Sequence, residues 1–172
     1  MKNFTLTTNI YTRIYTYILF AAPETQRIMS LRQPTAKMSK SDPSEQSRIH
    51  LSDTPEVIQS KIRRATTDSL AGVSYDKQER PGVSNLLTIY SAVRDISIEE
   101  AVQDFEGVES TKQFKEQVAD AVIDRIIPIR NELVRLQEDP GYVRQILDEG
   151  AEKAAEVAYK HMEEVYKVIG LK

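Results

Sequence analysis

Lys37, Met38, Ser39, Lys40 and Ser41 set two lysines three residues apart and interleave them with two hydroxyls. A mobile loop carrying those groups can fold over a triphosphate. Its compact charges can then neutralise the charge that builds on a departing pyrophosphate. Met38, between the lysines, is placed to anchor such a loop on an apolar surface when it closes. Asp42-Pro43 follows, giving an acceptor for loop amides and a rigid exit. The alternative reading of the same five residues is a solvated polar surface loop. Short basic-hydroxyl runs are common, and the neighbouring sequence does not display the partners that phosphate chemistry needs.

Other chemistries are excluded or left without support. The chain has no cysteine, which rules out disulfides, a thiolate nucleophile and cysteine-held zinc or iron–sulfur sites. His50 and His161 are far apart and lack metal-ligand spacing, so both read as surface or packing residues and no metal site is expected. A net charge of -3 excludes a generally basic nucleic-acid binder. Residues 27–64 nevertheless hold eight Lys or Arg against four Asp or Glu, so this part is locally positive. Within it, Arg63-Arg64 either faces phosphate or forms a solvated helix face. Tyr75, Tyr90, Tyr142, Tyr159 and Tyr166 are expected in the core or between helices rather than as base-stacking platforms.

The elements that must position the lysine loop follow from periodicity and punctuation. Residues 27–31 (RIMSL) read as one short buried strand, and residues 33–52 lose periodicity and fill with Pro, Ser, Lys and Asp, as an ordered loop does. Thr54-Pro55-Glu56 is a helix start, with Val57, Ile58, Ile62 and Ala65 on one face. A connector over residues 69–81 leads to a second helix after Gly82 and Ser84, burying Leu86, Leu87, Tyr90 and Val93. Ser97 with Glu100 is a capping box for a short third helix. Phe114, Val118, Val122, Ile126, Ile129, Leu133 and Leu136 stripe a longer one, which Pro128 should kink. Asp139-Pro140 restarts the pattern, with Tyr142, Ile146 and Leu147 pointing inward and Gly150 marking a break or a tight contact. An alanine-rich face then runs to a stop at Gly170 and suggests close helix–helix approach. The region after residue 70 is therefore expected to be all-α.

The first 22 residues stand apart, with Lys2 and Arg13 but no acid before Glu24. Their apolar run over residues 14–22 falls short of the roughly 20 residues that span a bilayer, so no membrane contact is expected. Tyr11, Tyr15 and Tyr17 spoil it as a signal-peptide core.

KMSKS followed by Asp is the second signature of class I aminoacyl-tRNA synthetases, and the match does not stand alone. RIMSLRQPTAKMSKSDPS, KIRRATTDS, RPGVSNLLTIYSAV, SIEEAVQDFEG, FKEQVADAVIDRIIPIR and EGAEKAAEVAY all resemble tryptophanyl-tRNA synthetase of the bacterial and mitochondrial type, in family order. The resemblance covers residues 27–172. It implies a mainly α chain, in which a helical bundle of the anticodon-binding type (residues 71–172) follows a remnant of a Rossmann-like nucleotide-binding domain (residues 27–70). Residues 1–26 form an unassigned segment that does not resemble the family. The implied activity is ATP-dependent activation of tryptophan and its transfer to tRNA, with Mg2+ accompanying ATP. By this resemblance Lys37 and Lys40 are the catalytic residues. Lys40 contacts the pyrophosphate and Lys37 lies nearer the α-phosphate, while Met38, Ser39 and Ser41 complete the ATP loop and Ile28 lines the adenine pocket through its backbone. The implied partners are ATP, tryptophan, the tRNA for tryptophan and, in full-length members, a second copy of the chain.

The chain departs from the family pattern upstream. It has no HIGH-type motif, and only 36 residues precede the lysine loop, where the family places its tryptophan pocket and most of its parallel sheet. The 172 residues alone are therefore expected to be inactive, with Ile28, Met29 and Leu31 left uncovered. The abrupt change near Arg27 suggests an alternative start, a misjoined exon or a partial gene model. Two other readings compete with the ligase reading: a non-catalytic tRNA-binding helical module, and a structural bundle whose KMSKS is vestigial. The acid-poor N-terminal stretch has too little Arg and Ser for a mitochondrial transit peptide, but it looks more like spliced or translated non-coding sequence than a bacterial start, which tips the setting toward the mitochondrial matrix over a bacterial cytoplasm.

Overall fold

The computed structural model describes residues 27–171, which divide after Pro128 into two compact units. In the first, residues 27–31 lead into a loop containing one 3-10 turn, Glu45–Ser47. Helix α1 (Pro55–Arg63) starts where Thr54-Pro55-Glu56 places it, because the fixed φ of Pro55 suits the first helical position and Glu56 lies at the positive end of the helix dipole. Ile58, Ile62 and Ala65 are buried as expected, but Val57 is exposed. It lies about 100° round the helix from Ile58, at the rim of the apolar face. Lys61 occupies the buried side instead, and its ammonium pairs with Asp53 at 2.6 Å.

Helix α2 (Pro81–Arg94) begins at Pro81, earlier than the expected start beyond Ser84. Gly82 is obligatory there: a Cβ would meet the carbonyl oxygen of Thr66 at 2.1 Å. Asp95 ends α2 in the left-handed region at φ 58°. The capping box predicted for helix α3 (Ile98–Asp104) is formed, since Ser97 Oγ accepts from the Glu100 amide at 3.1 Å and Glu100 Oε2 accepts from the Ser97 amide at 2.8 Å. Hydrogen bonding of the ionised carboxylate by the Ser97 amide first, and by the Ser97 hydroxyl second, holds the Glu100 carboxyl below its usual range.

Helix α4 (Thr111–Glu138) supplies Phe114, Val118 and Val122 to the core. The Phe105 ring stands edge-on between Tyr90 and Phe114, with both centroid distances 4.7 Å. These rings join Leu31, Ile58, Ile62, Leu86 and Leu87 in one apolar cluster. Each such side chain is worth about 1.5–3 kcal/mol of transfer free energy.

Two expectations fail in this unit. Residues 27–31 form no strand: among the described residues Met29 makes a single isolated bridge to Lys37. Leu31 is not left uncovered either but fully buried, with Ile28 half-buried against the same cluster.

The second unit begins at Ile129 and contains the end of α4 and helix α5 (Pro140–Ile169). The helix α4 runs on through Pro128, and the division between the units falls at that proline. Asp139 caps α5 by accepting from the Tyr142 amide at 3.0 Å, with Pro140 at the first position, and Gly170 closes it at φ 74°. The inward-pointing expectation for Tyr142, Ile146 and Leu147 is wrong, since all three are exposed, as are Tyr159, Met162 and Ile129. No residue of α5 is buried, and Gly150 is neither a break nor a tight contact, because nothing lies within 4 Å of a Cβ placed there. Periodicity identifies residues that share a face but not a partner to cover it. Among the described residues no helix is long and apolar enough to cross a membrane.

Candidate functional site

The lysine loop is built on an extended segment whose two edges are both hydrogen-bonded. On one edge the Met38 amide donates to the Ile28 carbonyl at 3.0 Å and the Ser30 amide donates to the Ala36 carbonyl at 2.9 Å. This sets Lys37 directly opposite Met29. On the other edge the Met29 amide donates to Asn85 Oδ1, and Asn85 Nδ2 donates to the Met29 carbonyl, both at 2.9 Å. The Leu31 amide reaches Ser47 at 2.9 Å, and the Leu31 carbonyl accepts from the Thr66 amide at 2.8 Å. A side-chain amide and two loop peptides thus take the place of a neighbouring strand.

Beyond that base the loop turns out to solvent. Met38 is half-buried against the apolar cluster, whereas Lys37, Ser39, Lys40 and Ser41 are exposed. The Ser39 and Ser41 hydroxyls bond each other at 2.9 Å, and the Asp42 amide donates to the Ser39 carbonyl at 3.3 Å. Among the described residues no carboxylate pairs with Lys37 or Lys40. Lys37 in the ladder and Ser39, Lys40 and Ser41 on the exposed turn beyond it thus set two ammonium groups and two hydroxyls beside the Met38 anchor.

The exit is fastened by a residue the sequence did not single out. Arg48 is buried; it donates to the Asp42 carbonyl at 2.7 Å and to His50 Nε2 at 3.0 Å, and it pairs with Glu45. Asp42 accepts from the Ser44 amide at 2.7 Å, the loop-amide role expected of it. Beside the base, on the Asn85 side, lies a cleft of about 440 Å³ lined by Arg27, Met29, Pro34, Lys77, Asn85 and Thr88. No group of three His, Cys, Asp or Glu side chains among the described residues could hold a metal ion.

The model of the family described as tRNA synthetases class I (W and Y) matches residues 1–126, a range that takes in the first 26 residues as well as the loop. The chain belongs to that family. Among curated relatives it is 44% identical over 145 residues to tryptophan–tRNA ligase of Bacillus anthracis, covering 84% of this chain and 44% of that protein. It is 39% identical over 148 residues to the mitochondrial tryptophan–tRNA ligase of Saccharomyces cerevisiae, covering 86% of this chain and 39% of the relative. The crystal structure of tryptophanyl-tRNA synthetase from Campylobacter jejuni superposes with a TM-score of 0.59 at 27% identity, over 84% of this chain and 43% of that one. A second structure of the Campylobacter enzyme, complexed with ADP and tryptophan, gives a TM-score of 0.60. This class I synthetase chain spans about two-fifths of the length of the relatives it matches.

In this family member the structure brings Ile28, Lys37 and Met38 together through one ladder, and it places Ser39, Lys40 and Ser41 on the adjoining exposed turn. Asn85 and Arg48 escaped the sequence reading, though Asn85 carried a signal: it is polar within the apolar run from Val83 to Ile89. A buried side-chain amide must find partners. The tyrosines divide. Tyr90 is buried and Tyr75 half-buried, whereas Tyr142 and Tyr159, expected among packed residues, are exposed.

Proposed function

We propose that this chain provides the ATP loop and helical part of a tryptophan–tRNA ligase. Residues 27–70 would be the end of its nucleotide-binding domain, and residues 71–172 a helical part of the anticodon-binding type. In this reading Lys40 meets the pyrophosphate of ATP, Lys37 lies nearer the α-phosphate, and Ser39 and Ser41 donate to phosphate oxygens. Met38 holds the turn to the apolar cluster, and Ile28 lines the adenine pocket through its backbone. Mg2+ arrives with ATP as part of the substrate. Tryptophan, its tRNA and a second copy of the chain are the remaining partners. An N-terminal stretch unlike a bacterial start tips the setting toward the mitochondrial matrix over a bacterial cytoplasm, and the relatives include both mitochondrial and bacterial ligases.

The observation that carries this reading is a pair of exposed lysines, paired with no carboxylate among the described residues, beside the Met38 anchor in a chain 39–44% identical to tryptophan–tRNA ligases. The 172 residues contain no HIGH-type motif, so alone they should show no tryptophan-dependent ATP–pyrophosphate exchange. Exchange by the isolated chain would overturn that part. The loop is tested in a chimera, with this chain's residues replacing the matched segment of the Bacillus anthracis ligase. The chimera should exchange, and Lys40→Ala should lower its rate about 10²- to 10³-fold, the usual loss for one group that stabilises developing charge. A Lys40→Ala chimera within twofold of its parent would sink the assignment.

A further inference from the structure

We infer that Asn85 is a positioning residue for the lysine loop, linking helix α2 to Lys37 through the backbone of Met29. In an extended segment successive residues bond to opposite edges. Ile28 and Ser30 are spent on the loop, through Met38 and Ala36. Met29 turns its amide and carbonyl the other way, and Asn85 takes both at 2.9 Å. Because Lys37 sits directly opposite Met29, the peptide that Asn85 grips is the one against which the first lysine of the loop is registered.

The chemistry of asparagine suits this role. A side-chain amide has one acceptor and two donors in the geometry of a peptide group, so it can stand in for a neighbouring strand. Asn85 is itself held, lying within α2 in the turn that follows Gly82 and Ser84. Ser84 Oγ accepts from the Asp76 amide at 2.9 Å, and Gly82 is seated against Thr66. Thr66 in turn bonds the Leu31 and Arg32 carbonyls. A displacement of α2 would therefore be carried to the loop base by two hydrogen bonds rather than absorbed by a flexible contact. The catalytic meaning of the link rests on the ATP-loop reading above. The link itself does not, which lets the two fail separately.

Amide hydrogen exchange on the full 172-residue chain tests it, comparing wild type with Asn85→Leu and Asn85→Asp. The leucine keeps the volume and loses both bonds. The aspartate keeps the shape and the acceptor but loses the donor and sets a negative charge against the Met29 carbonyl. In Asn85→Leu, exchange at Met29 and Met38 should rise about tenfold or more; in Asn85→Asp, Met29 keeps its acceptor, and the rise is expected at Met38, while the Ile58 and Ile62 amides of α1 keep their protection in both. If Asn85→Leu left Met29 and Met38 protected as in wild type, or Asn85→Asp left Met38 so, volume alone would explain Asn85 and the inference would be wrong. Equal loss of protection in α1, α2 and the loop would also overturn it, because Asn85 would then hold the fold and not the loop. Released loop amides combined with a Lys40→Ala chimera that keeps its activity would sink the ATP reading and leave the link standing.

Discussion

Replacing Arg80 should cost more stability than any other single change of a polar side chain in the first unit. Its guanidinium is 7% exposed and makes five hydrogen bonds: two to the Asp68 carboxylate, at 2.8 and 3.0 Å, and one each to the Leu70 carbonyl, the Gly72 carbonyl and Ser74 Oγ. Arg80→Met removes all five and leaves Asp68 facing an apolar side chain. Breaking a buried pair from one side costs about 3–5 kcal/mol. Asp68 keeps 21% of its side chain in water, so the lower figure, about 3 kcal/mol, is the appropriate one. For a unit of this size that corresponds to a fall in Tm of about 12 °C or more. Arg80→Lys should recover under half of it, because an ammonium cannot reproduce the forked contact with Asp68 while reaching two carbonyls. The loss should also depend on pH in a definite direction. The Arg80 guanidinium is the chief cause holding the Asp68 carboxyl below its ordinary range. A carboxyl depressed in the folded state stabilises above its unfolded pKa, near 3.9, and loses that stabilisation as pH falls through the folded value. Urea unfolding followed by circular dichroism should therefore show a wild type-to-variant gap that is full at pH 7 and narrows as pH falls below the unfolded value of about 3.9. A gap under 1 kcal/mol at pH 7, or one that widens in acid, would refute the reasoning.

Two further substitutions probe packing around the site. Gly82→Ala should destabilise by about 3 kcal/mol, the upper end of overpacking costs, since its Cβ would lie 2.1 Å from the Thr66 carbonyl oxygen and Thr66 is bonded to the loop's base. A Tm within 2 °C of wild type would mean that the backbone there yields freely. Phe105→Ala should cost about 3–5 kcal/mol, because the ring is 1% exposed and is wedged edge-on between Tyr90 and Phe114. Denaturant midpoints measure it, and a loss below 1 kcal/mol would show that the site collapses around the missing ring.

What the sequence disclosed and what it hid divide along a physical line. Local signals were legible because they are decided within a few residues. Pro55 and Pro140 start helices, Ser97 and Glu100 cap each other, and Gly170 stops α5, each where its chemistry predicts. The face of α4 was legible as far as Val122, where neighbouring helices supply a core. Tyr142, Ile146 and Leu147 were misread for the opposite reason: they have helical spacing but remain exposed, Tyr142 with only the Arg135 guanidinium over its ring, and spacing carries no information about a partner. RIMSL was misread as a strand because β-propensity reports fitness for a half-buried extended segment, and that segment finds its bonds in a loop and one asparagine. Long-range polar links of this kind, with Met29 and Asn85 56 positions apart, leave no periodic trace.

The same links change what should be expected of the loop. Its fasteners, namely Met38 on the cluster, Asn85 on Met29, Ser47 on Leu31 and Arg48 on Asp42, all lie within residues 28–85. Holding two lysines in place is nevertheless not catalysis. An exposed ammonium attracts a phosphate oxygen in high dielectric by about 1 kcal/mol, so Lys37 and Lys40 together would bind a triphosphate only in the millimolar range or weaker. Activation of an amino acid asks for many kcal/mol of transition-state stabilisation, which needs donors converging on the reacting phosphate from its other side, in a site closed to water. If the loop meets ATP as proposed, it brings geometry of its own, and its charges become effective only where another surface excludes solvent around them.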